Sequence, residues 1–194
     1  MSGTADRPLR ADARRNRERL LEVAEAVFTA KGTAASTEEI AREAGVGVGT
    51  VFRHFPTKEA LIAEVYSRLL QRLGESAREM ADREDAGAAF YEVILLIIGR
   101  AQAKNAFADA LTEAGVEIPQ PAAGADGRSL LADTLDDLMR RAQAAGAVRA
   151  DMGPEELRAW LVGVCRALEQ VRDQEVRDHV IAIFYAGLTP PAPA

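Results

Sequence analysis

Several polar side chains that could contact DNA lie close together in one short stretch of the chain: Thr50, Arg53, His54 and Lys58. Arginine can pair with guanine through two hydrogen bonds in the major groove, and a phosphate contact is nearly as plausible for Arg53. Lys58 stands where a helix is predicted to begin. Its charge opposes the helix dipole there, so a nearby phosphate would explain the choice. His54 could donate to phosphate, or it could be a surface histidine with no partner. Val48 could meet a thymine methyl group.

Two short helices joined by a tight turn are predicted to position these residues. Ser36 begins the first helix as its N-cap, and Glu39 follows three residues later, which is the spacing of a capping box. Gly45 ends this helix, because glycine adopts the left-handed conformation most readily. The second helix runs from about Val48 to Phe55 and stops before a proline. This layout predicts a helix-turn-helix, in which the first helix braces and the second lies in the major groove.

The residue pattern of this stretch closely resembles the DNA-binding domain of the TetR/AcrR family of bacterial transcriptional regulators. The resemblance covers roughly the first third of the chain. It rests on Ile40-Ala41, Ala44-Gly45-Val46, Gly49-Thr50-Val51-Phe52, His54-Phe55, Lys58 and Leu61.

The resemblance implies that Thr37, Thr50 and Lys58 contact the DNA backbone. The full predicted DNA-binding set is Thr37, Val48, Gly49, Thr50, Phe52, Arg53, His54 and Lys58. Two positions depart from the family pattern. Gly47 stands where serine usually caps the recognition helix, and glycine is a weaker cap by a few tenths of a kcal/mol. Phe52 stands where tyrosine is usual, so it lacks a hydroxyl that often reaches phosphate.

The charge of the chain is divided unevenly along its 194 residues. The formal net charge is −6, yet residues 1–58 carry ten Lys and Arg against eight Asp and Glu, a balance of +2. The remainder carries fourteen against twenty-two, a balance of −8. An acidic body with a locally basic end is suited to binding phosphate at one face.

The apolar residues follow helical spacing throughout, and no segment alternates as a strand does. We therefore expect an all-α chain with an N-terminal three-helix helix-turn-helix domain and a C-terminal helical bundle for ligand binding and dimerisation. The domains are a flexible arm over residues 1–12, the DNA-binding domain over 13–58 and the body over 59–194. Four arginines in and just after this arm could touch phosphate or the minor groove, or could belong to a solvated tail: Arg7, Arg10, Arg14 and Arg15.

The helices are predicted in order along the chain, with a loop before the seventh. The first six helices are predicted over residues 13–30, 36–44, 48–55, 57–73, 88–104 and 106–114. Residues 75–87 could either continue a helix or form a linker. A loop over residues 115–127 is followed by a helix over 128–145. The next helix is introduced by residues 151–156, with Asp151 as the capping acid, and the last runs over 175–187.

Parts for catalysis are missing from the sequence, so no catalytic residue, metal site or cofactor is expected. Cys165 has no neighbouring histidine and is interpreted as a core residue. His54 and His179 have no metal-ligand spacing. One cysteine forms no internal disulfide, no signal peptide is apparent, and the longest apolar run, residues 93–98, is too short to span a membrane. A cytoplasmic protein is expected.

The resemblance also implies a small-molecule effector, since members of this family commonly release DNA when they bind one. Candidate lining residues for an apolar or amphipathic ligand are Phe90, Ile94, Ile97, Phe107, Leu111, Leu135, Met139 and Trp160. For each of them a place in the core is the favoured alternative. A DNA-binding protein of this fold without an effector, or an enzyme that reuses the fold, are the competing hypotheses.

The last two predicted helices carry more apolar surface than one core requires. The resemblance implies that such a pair meets its twin in a homodimer, although both faces could be internal core. A dimer would bring two heads to two half-sites of a double-stranded DNA operator, about one duplex turn apart or a multiple of it.

Overall fold

The computed structural model describes the backbone of residues 6–117 and 130–191, and the side chains of 15–117 and 130–191. In this part of the chain every regular element is an α-helix, which confirms the all-α prediction. The helices are α1 (Asp6–Lys31), α2 (Thr37–Ala44), α3 (Val48–His54), α4 (Lys58–Ala81), α5 (Ala86–Glu113), α6 (Leu130–Ala144), α7 (Pro154–Glu169) and α8 (Gln174–Leu188).

The first helix begins earlier than the sequence predicts. α1 starts at Asp6, so residues 6–12, predicted to be part of a flexible arm, are helical. Pro8 does not prevent this, because a proline is tolerated in the first turn, where its missing N–H would have no partner anyway. The side chains of the arginines predicted to touch DNA from this arm lie outside the described residues, except that of Arg15.

Helix α4 continues beyond its predicted end. The sequence predicts an end near Gly74 and leaves residues 75–87 as either continued helix or linker; α4 runs on to Ala81. A Cβ atom on Gly74 would lie 3.1 Å from the backbone nitrogen of Leu131 and 3.2 Å from the Cβ of Leu130. This glycine therefore allows the start of α6 to approach α4 closely, and it does not end the helix.

A single helix replaces the two short ones predicted between residues 88 and 114. α5 runs through Asn105, whose side chain is buried, and ends only before Gly115, which has φ +67°. No glycine or proline stands at the predicted break, so nothing there interrupts the backbone hydrogen bonds. The predicted loop that follows lies outside the described residues from residue 118 onward.

The start of α7 is capped differently from the prediction. Gly153 is the N-cap, and its N–H donates to the carboxylate of Glu156 at 2.6 Å. Asp151, predicted as the capping acid, instead accepts two hydrogen bonds from the guanidinium of Arg149 at 2.6 and 2.7 Å. That pairing lowers the pKa of Asp151.

The chain divides into two compact units. The first comprises residues 1–69 and 105–119, and the second comprises residues 70–104 and 120–194. In the first unit α1 packs on α2 and α2 on α3, and the ring of Phe28 meets that of Phe107 edge-on with centroids 6.1 Å apart. The predicted division at residue 58 stays a prediction.

The second unit is built around the first two-thirds of α5. Phe90, Val93 and Ile94 are fully buried there among apolar side chains of α6, α7 and α8. By length and composition alone α5 would suit a membrane span, as core helices often do. Tyr185 donates to the backbone carbonyl of Tyr91 at 3.3 Å, and burial raises the pKa of Tyr185 to about 12.

Candidate DNA-binding surface

The turn between α2 and α3 is fixed by local hydrogen bonds, as predicted. The hydroxyl of Ser36 accepts from the N–H of Glu39 at 3.2 Å. Gly45 has φ +69°, and its N–H closes the end of α2. The carboxylate of Glu39 bonds to the ammonium of Lys31 and does not complete the predicted capping box. α2 is therefore capped by Ser36 and tied to the end of α1.

Helix α3 packs on the rest of the first unit through two apolar side chains. Val51 and Phe55 are buried, which confirms that they share the inward face. The guanidinium of Arg17, from α1, lies 5.2 Å from the ring centre of Phe55 and pairs with Glu64 of α4 at 3.0 Å. Gly47 caps α3 without a side-chain hydrogen bond, as its residue type requires. Packing, more than capping, therefore holds α3 in place.

The outward face of α3 presents most of the predicted DNA-binding residues. Gly49, Phe52 and Arg53 are exposed, whereas Val48, Thr50 and His54 are half-buried at the flanks. Lys58 is the first residue of α4 and is also half-buried, and Thr37 is the first residue of α2. Thr37 is only 7% exposed, which leaves little of its side chain for a phosphate.

Two cations near this face are not neutralised by any residue that the structure describes. Arg53 and Lys58 make no ion pair or side-chain hydrogen bond with the residues that the structure describes. Other cations of the unit are paired: Arg42 lies 3.8 Å from Glu39, and Lys31 bonds to the same carboxylate. The charges of Arg53 and Lys58 are therefore available to an anionic partner.

Gly49 lies in the middle of the exposed face and leaves a bare patch of backbone. A Cβ atom there would have no neighbour within 4 Å. A glycine inside a helix costs roughly 0.5–1 kcal/mol relative to alanine, so its presence at an open position is not explained by packing. It would let the helix approach another surface closely.

Replacing Gly49 with alanine should therefore have opposite effects on stability and on DNA binding. We expect the free energy of unfolding to rise by about 0.5–1 kcal/mol, because the helix gains a better former in open space. The affinity for a cognate duplex should fall, because the added methyl group stands between the helix and the base edges. Urea unfolding and a DNA titration on the same preparation check both effects. A rise in both quantities would contradict the close approach.

Two family models match this chain and together cover most of it. Residues 20–65 match the model described as bacterial regulatory proteins, tetR family. Residues 85–190 match that of the transcriptional regulator SbtR-like C-terminal domain. The chain belongs to the TetR family of transcriptional regulators. The helix-turn-helix built above is therefore the DNA-binding element of a TetR-family regulator.

Solved structures of other TetR-family proteins share the fold along almost the whole chain. A TetR transcription regulatory protein from Mycobacterium vanbaalenii is 38% identical, with a TM-score of 0.72 over 94% of this chain and 99% of that one. A TetR regulator from Streptomyces coelicolor is 32% identical, with a TM-score of 0.70 over 91% and 99%.

Curated relatives match a stretch of 61 residues of the chain. An HTH-type transcriptional regulator of Staphylococcus aureus strain USA300 is 41% identical over 61 residues, which are 31% of this chain. The chain spans about a third of the length of these curated relatives, 33% in this case.

The residues predicted to line a ligand pocket are divided between the two compact units. Phe90, Ile94, Ile97, Leu135 and Met139 belong to the core cluster of the second unit. Phe107 and Leu111 are buried in the first unit. Trp160 is 38% exposed, with its ring 4.9 Å from that of Phe184. Their assignment to a pocket stays a prediction.

The second unit has a concave surface that the sequence analysis did not identify. A groove of about 650 Å³ opens between α5, the end of α7 and the start of α8. Its floor includes Ile98, Leu168 and the buried thiol of Cys165, whose pKa is raised by burial. Arg172 and Gln174 lie at its polar side. A smaller cavity of about 320 Å³ is lined by Met139 among others. Helical periodicity gave no signal for either, because it separates buried faces from exposed ones and does not locate gaps between helices.

No metal centre is formed in the part of the chain that the structure describes, where no three His, Cys, Asp or Glu side chains are grouped to hold an ion.

Proposed function

We propose that this TetR-family regulator is a dimeric repressor that binds a specific DNA operator and is released from it by a small molecule. The observation that carries the proposal is the outward face of α3, where Arg53 is exposed and unpaired in the described structure, beside the bare backbone of Gly49. An operator on bacterial DNA requires the protein to work in the cytoplasm.

The residues around α3 divide into two roles in this proposal. Arg53 reads a base in the major groove, where its guanidinium can hold both acceptors of a guanine. Thr50, His54 and Lys58 hold the phosphate backbone and fix the position of the helix. Thr37, whose side chain is almost buried, adds a contact through the backbone N–H groups at the start of α2.

The proposed dimer forms through α7 and α8. Val162, Val176 and Ile183 are 60%, 48% and 57% exposed, so both helices carry large apolar side chains that the described residues leave uncovered. Trp160 extends the same apolar surface and lies against Gly187, where a Cβ atom would approach the indole to 1.9 Å. Burial of this surface against a second copy would stabilise a dimer.

The proposed effector binds in the second unit and acts by shifting a population. Its site is the groove between α5, α7 and α8, whose apolar floor and polar side suit an amphipathic molecule. A ligand that binds better to a form with wrongly spaced heads draws the dimer away from the operator. The alternative is a constitutive DNA-binding protein of the same family. If no molecule that binds in the groove changes the affinity for the operator, this alternative is favoured.

Replacing Arg53 with alanine should abolish sequence-specific binding. One good bidentate pair contributes about 1–3 kcal/mol of discrimination, and a dimer makes the contact twice, so a loss of about 30-fold or more is expected. Titration of a cognate duplex at fixed salt measures it.

Arg42→Ala is the matched control, because Arg42 is an exposed arginine of the same helix-turn-helix that already pairs with Glu39. It should change affinity little. Lys58→Ala should weaken binding to all sequences alike and reduce the salt dependence by about one phosphate contact per subunit. Equal effects of Arg53→Ala on specific and random duplexes would contradict base reading.

A further inference from the structure

We infer that Val48 and Phe52 read the 5-methyl group of a thymine in each half-site, next to the base that Arg53 contacts. The inference rests on the proposed function and specifies which base the apolar side of the α3 surface recognises.

An apolar strip runs along one side of the outward face of α3. Val48 and Phe52 are four residues apart in the helix, so their side chains lie one above the other. Phe52 is 43% exposed and stacks on no other aromatic ring in the described residues, and Val48 is half-buried beneath it. The strip therefore has apolar surface that no described residue covers.

The chemistry of the major groove leaves this strip one suitable partner. A phenyl ring and an isopropyl group have no hydrogen-bonding atoms, so neither can bond to phosphate or to the polar edges of the bases. The apolar group that unmodified DNA presents in the major groove is the methyl group of thymine. Covering it with Val48 and Phe52 would remove apolar surface of both partners from water.

The position of the strip on α3 determines which base pair it meets. Phe52 precedes Arg53 directly, and the bare backbone of Gly49 lies between them on the exposed face. The apolar side of α3 and its cationic side therefore point toward neighbouring base pairs when the helix lies in the groove. Thymine and guanine are expected at adjacent or nearly adjacent positions of the half-site.

Substitution of thymine by uracil tests the inference, because it removes the methyl group and leaves base pairing intact. The full-length protein is titrated with its selected operator, in which each thymine is replaced in turn. At one or two positions in each half-site we expect affinity to fall about fourfold for each methyl group lost. With Phe52→Ala the same replacements should change affinity less than twofold, because the side chain that senses the methyl group is gone.

Arg42→Ala is the matched control, since Arg42 is an exposed residue of the same helix-turn-helix whose side chain already pairs with Glu39. It should keep the full uracil effect, and circular dichroism establishes that each variant is folded. If wild type binds the operator specifically but every uracil duplex binds within twofold of the original, the inference is wrong and the proposed function stands. The inference is also wrong if Phe52→Ala keeps the uracil effect. Failure to select any sequence would instead contradict the proposed function.

Discussion

Replacing Ile183 with aspartate should convert the proposed dimer into a monomer and weaken operator binding by about a hundredfold or more. Ile183 is 57% exposed on α8, so a carboxylate there leaves the fold of the subunit intact but would be buried without a partner in the proposed interface. Two linked heads bind more tightly than one by about 10²–10⁴-fold, and a monomer loses this gain. Sedimentation and a DNA titration of the same sample measure both effects.

The matched control for this prediction is Ala88→Asp, which places the same charge at an exposed alanine near the start of α5, outside the groove. It should leave the dimer and the DNA affinity unchanged. The single tryptophan offers a second readout, because Trp160 lies on the same apolar surface as Ile183. Its emission should move to longer wavelength when the surface becomes exposed to water. A dimer that persists in Ile183→Asp would contradict the assignment of α7 and α8.

Replacing Phe107 with alanine should destabilise the DNA-binding head, although Phe107 is almost fifty residues beyond the start of α4 at Lys58. Phe107 is 1% exposed and meets Phe28 of α1 edge-on, with ring centroids 6.1 Å apart. Truncation of a buried phenylalanine typically costs about 3–5 kcal/mol. Hydrogen exchange of the amides in α1, α2 and α3 should accelerate, and urea unfolding should report the overall loss.

Phe90→Ala is the comparison for Phe107→Ala, since Phe90 is equally buried in the core of the second unit. It should cost a similar free energy, with faster exchange mainly among residues of that core. The same exchange pattern in both variants would show that the two units unfold as one, and would contradict the separate dependence of the head on Phe107.

The helix-turn-helix could be predicted because its structure is set by neighbours in sequence. Ser36 caps the helix that it precedes, Gly45 takes the left-handed conformation, and Val51 and Phe55 face inward at helical spacing. Each feature depends on residues within a few positions, so the residue types alone were enough. The local prediction that was wrong here is the capping-box hydrogen bond of Glu39, whose carboxylate bonds instead to Lys31 in the preceding helix.

Features that depend on distant parts of the chain were the ones that the sequence did not reveal. The residue type of Gly74 predicts the end of a helix. In the structure this glycine instead allows Leu130 and Leu131, more than fifty residues later, to approach α4 closely. Phe107 reads as a body residue and is buried in the first unit. The candidate pocket residues belong to apolar stripes, which indicate a buried core. The groove beside Cys165 lies where three helices leave a gap between them.

Selection of bound duplexes from a random-sequence pool tests the central claim most directly. The protein, at fixed salt, should enrich an inverted repeat whose half-sites lie about one duplex turn apart or a multiple of it, because two heads related by a two-fold axis read the same sequence. Arg53→Ala should lose the preference at one position of each half-site. Enrichment of no sequence, with weak binding that falls steeply as salt rises, would contradict the account, since it would mean that α3 contacts phosphates and reads no bases.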